Sequence, residues 1–157
     1  MSLIDRLTDI LTRVSAVFMA LCLILLVGID FSQVVLRYGF GMGWPWAGDV
    51  SIILLLSLAW IGAGHLWLTR GHIAVDLIAP ASRTGRGFWL AFDLLVLIGG
   101  AVLLPMTLTT MQAYSFIELP TLPLPGSIKY MPVAAGIAFV VLAAGVVLIR
   151  RLRATGS

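Results

Sequence analysis

Residues 14–36 read VSAVFMALCLILLVGIDFSQVVL, a run in which Asp30 is the one formal charge. At a helical rise of about 1.5 Å per residue such a run covers about 35 Å, enough to cross a hydrocarbon core of about 30 Å. No water is present at that depth to satisfy backbone N–H and C=O groups, so only a helix or a closed barrel is viable. Barrel strands are alternating segments of about ten residues. This run is longer and continuous, so the first span is a helix.

Three further runs of the same kind follow, at residues 50–68, 88–108 and 128–149. The 157 residues are 61% apolar and only 11% charged, and mean hydropathy is +1.09; ordinary soluble domains carry about 25% charged residues. A soluble globule is thereby excluded. The fold class expected is an all-α membrane protein, with residues 1–157 forming a single domain of four transmembrane helices. Residues 2–13 place Leu3, Ile4, Leu7, Ile10 and Leu11 on one face and Asp5, Arg6, Asp9 and Arg13 largely opposite, the pattern of an amphipathic interfacial helix feeding the first span. Ser2 with Asp5 resembles a capping box. A cleavable signal peptide is not expected, because two acids stand among the first thirteen residues and the run that follows is too long.

Lysine and arginine flank spans on the cytoplasmic side. Arg6 and Arg13, Arg70, Arg83 and Arg86, and Arg150, Arg151 and Arg153 fall on one side, against Arg37 and Lys129 on the other. Both termini are therefore expected in the cytoplasm. Tyr38, Trp44, Trp46, Tyr114 and Tyr130 then mark the outer interface, and Trp67 and Trp89 the inner one. The basic residues form no stripe, so the pI near 9.6 reads as topology and not as nucleic-acid binding. Residues 39–48 hold four glycines and Pro45, the composition of a structured turn. The run LPTLPLPG at 119–126 suggests extended, polyproline-like chain, and residues 72–82 an interfacial segment too short to span. The single cysteine, Cys22, admits no intramolecular disulfide.

Asp30 is the sharpest candidate for chemistry. A carboxylate about 9 Å inside a span is costly unless paired or solvated, which leaves two readings: a proton or cation site, or a structural pair with Arg37 or Lys129. Asp93, about 8 Å inside the other end of the third span, has Arg86 seven residues earlier as a pairing candidate. His65 and His72 are badly placed to clamp a haem, and one cysteine with no His/Glu cluster makes no metal site. The glycines at 39, 41 and 43 are not followed by Lys-Ser or Lys-Thr, so no phosphate loop is present. No catalytic residue, cofactor or metal is expected, and the chain reads as a non-enzyme.

The stretch from Gln33 to Asp76 resembles the small membrane subunit, DctQ type, of tripartite ATP-independent periplasmic (TRAP) transporters. The resemblance rests on Gln33-Val-Val-Leu-Arg-Tyr38, Trp46 followed by Asp49, Gly62-Ala-Gly64 and Arg70-Gly-His-Ile-Ala-Val-Asp76. Many members carry two adjacent acids after the tryptophan; here Gly48 precedes Asp49. The resemblance implies a multi-pass protein of a bacterial inner membrane that pairs with a large membrane subunit, to which a periplasmic binding protein delivers an organic acid. It also implies that the large subunit holds the sodium and substrate sites while the small one extends the fixed scaffold. Asp30, Arg37, Tyr38, Trp46 and Asp49 are then assigned to anchoring and outer contacts, and Arg70, His72 and Asp76 to the inner connection.

The residues themselves fit that role through what the spans lack. A self-sufficient carrier needs a polar midplane site, often at broken helices, yet the second span offers little beyond Ser57 and Trp60. The expected function is a scaffold subunit of a sodium-coupled organic-acid importer. Two rivals stand beside it: a small proton-coupled exporter using Asp30, and a membrane anchor for a redox complex.

Overall fold

A computed structural model describes residues 3–69 and 83–155. It consists of α1 (Leu3–Phe40), α2 (Ala47–Thr69), α3 (Arg83–Ala113) and α4 (Met131–Thr155), with short 3-10 turns at Tyr114–Phe116 and Gly126–Tyr130. All four helices are long and apolar enough to cross a membrane. Among the described residues no strand forms; a single bridge joins Glu118 and Pro125.

The helices overrun the apolar stretches that specify them. α1 is unbroken over 38 residues, about 57 Å at the helical rise, so residues 3–13 continue the axis of the first span without a turn between them. Nothing in that segment breaks a helix: it holds neither proline nor glycine. At its far end the helix stops at Gly41, which takes a positive φ of 68°, a conformation glycine adopts without the steric cost of a side chain. The Met42 amide then donates to the Leu36 carbonyl.

The packing order is α1, α2, α4, α3. Among the described residues α1 packs chiefly on α2, and α4 lies between α2 and α3. This is a row more than a closed bundle, and α1 forms one edge of it. α2 and α4 run in the same direction, with Trp60 beside Gly136 and Phe139 beside Gly64. Glycine sets this spacing: a methyl group at Gly136 would strike the Trp60 side chain and stand 3.0 Å from its carbonyl carbon, and one at Gly64 would strike the Phe139 ring. Small residues admit such close backbone approach in membranes, where the hydrophobic effect does not drive helices together. Gly100 of α3 meets Val141 of α4 in the same way. The core follows α4, whose Ile137, Ala143, Ala144 and Val147 are buried.

Near the far end of α2, Trp67 stacks on Phe92 of α3 with ring centroids 5.3 Å apart. Ser15 of α1 is hydrogen-bonded to His65 Nδ1 of α2 at 2.8 Å. Asp93 is fully buried in α3; the side chain of Arg86, its expected partner, lies outside the described residues, as do Ser2 and the segment 72–82.

The end of the row where α1 and α3 finish and α2 and α4 begin carries both described connections and is termed the loop end. Here residues 117–126 do not run on as a straight polyproline rod. The Leu119 amide donates to the Leu124 carbonyl at 2.9 Å, and the Gly126 amide to Ile117 at 2.6 Å. Leu119 precedes the first of these prolines and Gly126 follows the last, so both keep the amides that let the chain fold back on itself.

Candidate functional site at the loop end

Two polar clusters occupy the loop end, one on each side of the start of α2. The first joins α1 to the connection that follows it. The Gln33 carboxamide donates through Nε2 to the Trp44 carbonyl at 2.6 Å and accepts from the Trp44 amide at 3.0 Å. One side chain thus satisfies both backbone groups of a residue that has no helix to pair with. Trp44 in turn stacks on Trp46, centroids 5.3 Å apart and planes 12° from parallel. Two hydrogen bonds at an exposed position contribute about 1 kcal/mol net, so Gln33→Ala is expected to leave the helices in place. Its signature is faster amide hydrogen exchange in residues 41–46; unchanged protection there would refute the clamp.

Asp30 lies below this clamp and accepts a hydrogen bond from Ser51 Oγ of α2 at 2.6 Å. The expected pairing with Arg37 or Lys129 is therefore corrected. Arg37 is two turns further along α1, about 10 Å in axial rise. Lys129 lies on the α4 side of α2 and is paired with Asp49. With Arg37, Tyr38 and the loop backbone, Asp30 lines an open cleft of about 670 Å³. Tyr38 is 84% exposed, so it forms surface and not core.

The second cluster is the tighter. Asp49, in the first turn of α2, is buried and accepts from Lys129 Nζ at 2.8 Å and from Thr121 Oγ1. Three elements meet at one carboxylate: the start of α2, the folded-back loop, and the turn that leads into α4. An acid at this position also suits the positive end of the α2 dipole. Lys129 is the chain's single lysine.

The structure thus gathers Asp30, Arg37 and Tyr38 around one cleft, stacks Trp46 at its rim, and turns Asp49 to the opposite side of α2. Arg70, His72 and Asp76 lie outside the described residues. Sequence reasoning missed Lys129 as the partner of Asp49, and Thr121, Ser51 and Gln33 as hydrogen-bonding residues. Gln33 carried a usable signal, being a long amide two turns from the end of α1, ahead of a glycine-rich turn.

Away from the loop end, the polar groups described between the helices are few and separate: Ser15 with His65, Asp93 in α3 and Ser57 in α2. Ser57 donates to the Ile53 carbonyl of its own helix at 2.7 Å, so its hydroxyl is already engaged where a midplane site would need it. The described side-chain contacts between different elements thus gather mainly at the loop end. A family model for the DctQ component of tripartite ATP-independent periplasmic transporters matches residues 26–154. The chain belongs to that family. No curated protein matches it. As a DctQ chain it is a small membrane subunit of a TRAP transporter, a multi-pass protein of a bacterial inner membrane. Both rim clusters fall within the DctQ match, whereas the first twenty-three residues of α1, Ser15 among them, precede it.

Proposed function

We infer that this DctQ chain is a non-catalytic scaffold subunit of a sodium-coupled organic-acid importer, obligately paired with a large membrane subunit and served by a periplasmic binding protein. The observation that carries this reading is the open row itself. Its helices expose Val14, Val17, Leu21, Ile24 and Phe31 of α1 and Leu95, Ile98 and Val102 of α3, and the Ser57 hydroxyl in the middle of α2 is engaged on its own backbone. Such a row can brace a larger membrane body along its length.

In this reading the loop end faces the periplasm and both termini the cytoplasm. The rim residues Arg37, Tyr38, Trp46 and Asp49 hold the outer connections in the shape presented to the rest of the transporter. Asp30, bonded to Ser51, is a structural link between α1 and α2 near that surface. Arg70, His72 and Asp76 are assigned to the cytoplasmic connection.

The test is reconstitution in proteoliposomes. The chain alone is expected to give no uptake of any organic acid under a sodium gradient, and uptake should appear only when the large subunit and binding protein are supplied. Uptake by the isolated chain would overturn the reading. Asp30→Asn in the complete transporter is expected to keep uptake within about twofold, since an amide oxygen still accepts from Ser51 and one hydrogen bond contributes about 1 kcal/mol. Abolished transport with normal assembly would favour a carboxylate that carries protons.

A further inference from the structure

The geometry points to a phospholipid site in the cleft between α2 and α3: one acyl chain lies along the cleft and its phosphate sits at Lys129. The cleft is about 450 Å³, lined by Ile52, Leu56 and Trp60 on one side and Leu103, Met106 and Thr107 on the other, with Tyr130 and Val133 of the α4 arm as its floor. It arises from the order of the row. α4 holds α2 and α3 apart, while Trp67 on Phe92 draws them together at the far end. The gap therefore closes away from the loop end and opens toward it.

Three observations select the occupant. The first is size. At roughly the 30 Å³ that a water-sized group claims in a liquid, 450 Å³ holds about fifteen methylenes, which is one acyl chain. The second is polarity. Thr107 and Thr110 already donate their hydroxyls to the carbonyls of Leu103 and Met106, so the walls below Lys129 and Tyr130 are largely hydrocarbon. The third is the mouth. Lys129 stands there with its side chain 27% exposed, and Asp49 engages one of the three donors of its ammonium. A cation above an apolar slot suits an anionic head on a hydrocarbon tail. Because lipid tails are already in an apolar medium, retention comes from dispersion contacts in a slot whose walls otherwise lack partners, together with the phosphate contact.

The full chain, purified from membranes in mild detergent and examined by native mass spectrometry, is expected to retain about one phospholipid per chain. Thr107→Trp fills the slot and should cut retention about tenfold, which corresponds to about 1.4 kcal/mol. Leu95→Trp, on the same helix at a position 64% exposed and outside the cleft, should leave retention unchanged. If Thr107→Trp does not fold, Ile52→Phe fills the slot from the opposite wall. Returned to delipidated chain, dioleoyl phosphatidylglycerol should bind about tenfold more tightly than dioleoylglycerol, which lacks the phosphate. Equal retention by the filled and control variants would overturn the site, and equal binding of the two lipids would overturn the phosphate contact. A cysteine at Met106, in a chain with Cys22 replaced, that cross-links to a co-purified large subunit would give the cleft to protein and overturn the lipid.

Discussion

Gly136→Leu is expected to separate α2 from α4 and to abolish accumulation of the folded chain in the membrane. Any Cβ at this position strikes the Trp60 side chain and comes within 3.0 and 3.1 Å of its carbonyl carbon and Cα. A side-chain tip can rotate away, but backbone at the centre of a helix cannot. Overpacking of a tight interface typically costs about 1–3 kcal/mol, and a leucine against backbone belongs at or above the top of that range. The neighbouring Gly64 supplies an internal contrast. A methyl there meets the ring of Phe139, so Gly64→Ala should be rescued by Phe139→Ala, whereas Gly136→Ala should not be rescued by Trp60→Ala, which leaves the Trp60 backbone and Cβ in place. Thermal melting in detergent and membrane abundance measure both pairs. Rescue of Gly136→Ala by the Trp60 truncation, or a Gly136→Leu chain that melts like the parent, would show that the crossing is not held by that glycine.

The four helices were legible because bilayer thickness and backbone desolvation leave a long apolar run almost no alternative. Their ends were less so: hydropathy marks where apolar residues stop, not where hydrogen bonding stops, and α3 runs to Ala113 through Thr107, Thr109 and Thr110, whose hydroxyls fold back onto carbonyls of their own helix. The packing order was not legible. Glycines at 62, 64, 99, 100, 136 and 145 look alike in one dimension, yet Gly64, Gly100 and Gly136 sit at close crossings while Gly99 and Gly145 face open space. The missed pairing of Asp49 with Lys129 follows from the same gap. Asp30 and Asp49 are both acids near the loop end, and which of them reaches the lysine depends on α4 lying beside α2 with α1 on its other side. The family resemblance, carried by Gln33 to Asp76, did not need that order, because it rests on residues spaced along the chain.

The pair between Asp49 and Lys129 yields the second large effect, and a charge exchange isolates it. Asp49→Lys alone sets two ammonium groups face to face at a position where Asp49 is buried and Lys129 partly so. Removing one partner of such a pair leaves the other charge without compensation, which is where buried ion pairs show their largest costs. The single variant is therefore expected to melt well below the parent and to expose residues 117–126 to protease, since Thr121 also loses its acceptor. Adding Lys129→Asp should restore most of the stability. The helix dipoles nearly cancel in the exchange, because position 49 lies in the first turn of α2 and position 129 just before α4; the acid moves from one helix start to the other. The shortfall should come from Thr121, which can no longer donate to a residue at 49. That shortfall gives the cycle its check: in a Thr121→Val background the exchanged and parental pairs should be equally stable. A double variant no better than Asp49→Lys would mean that the carboxylate at 49 acts through the loop alone, and that its contact with Lys129 does not hold the starts of α2 and α4 together.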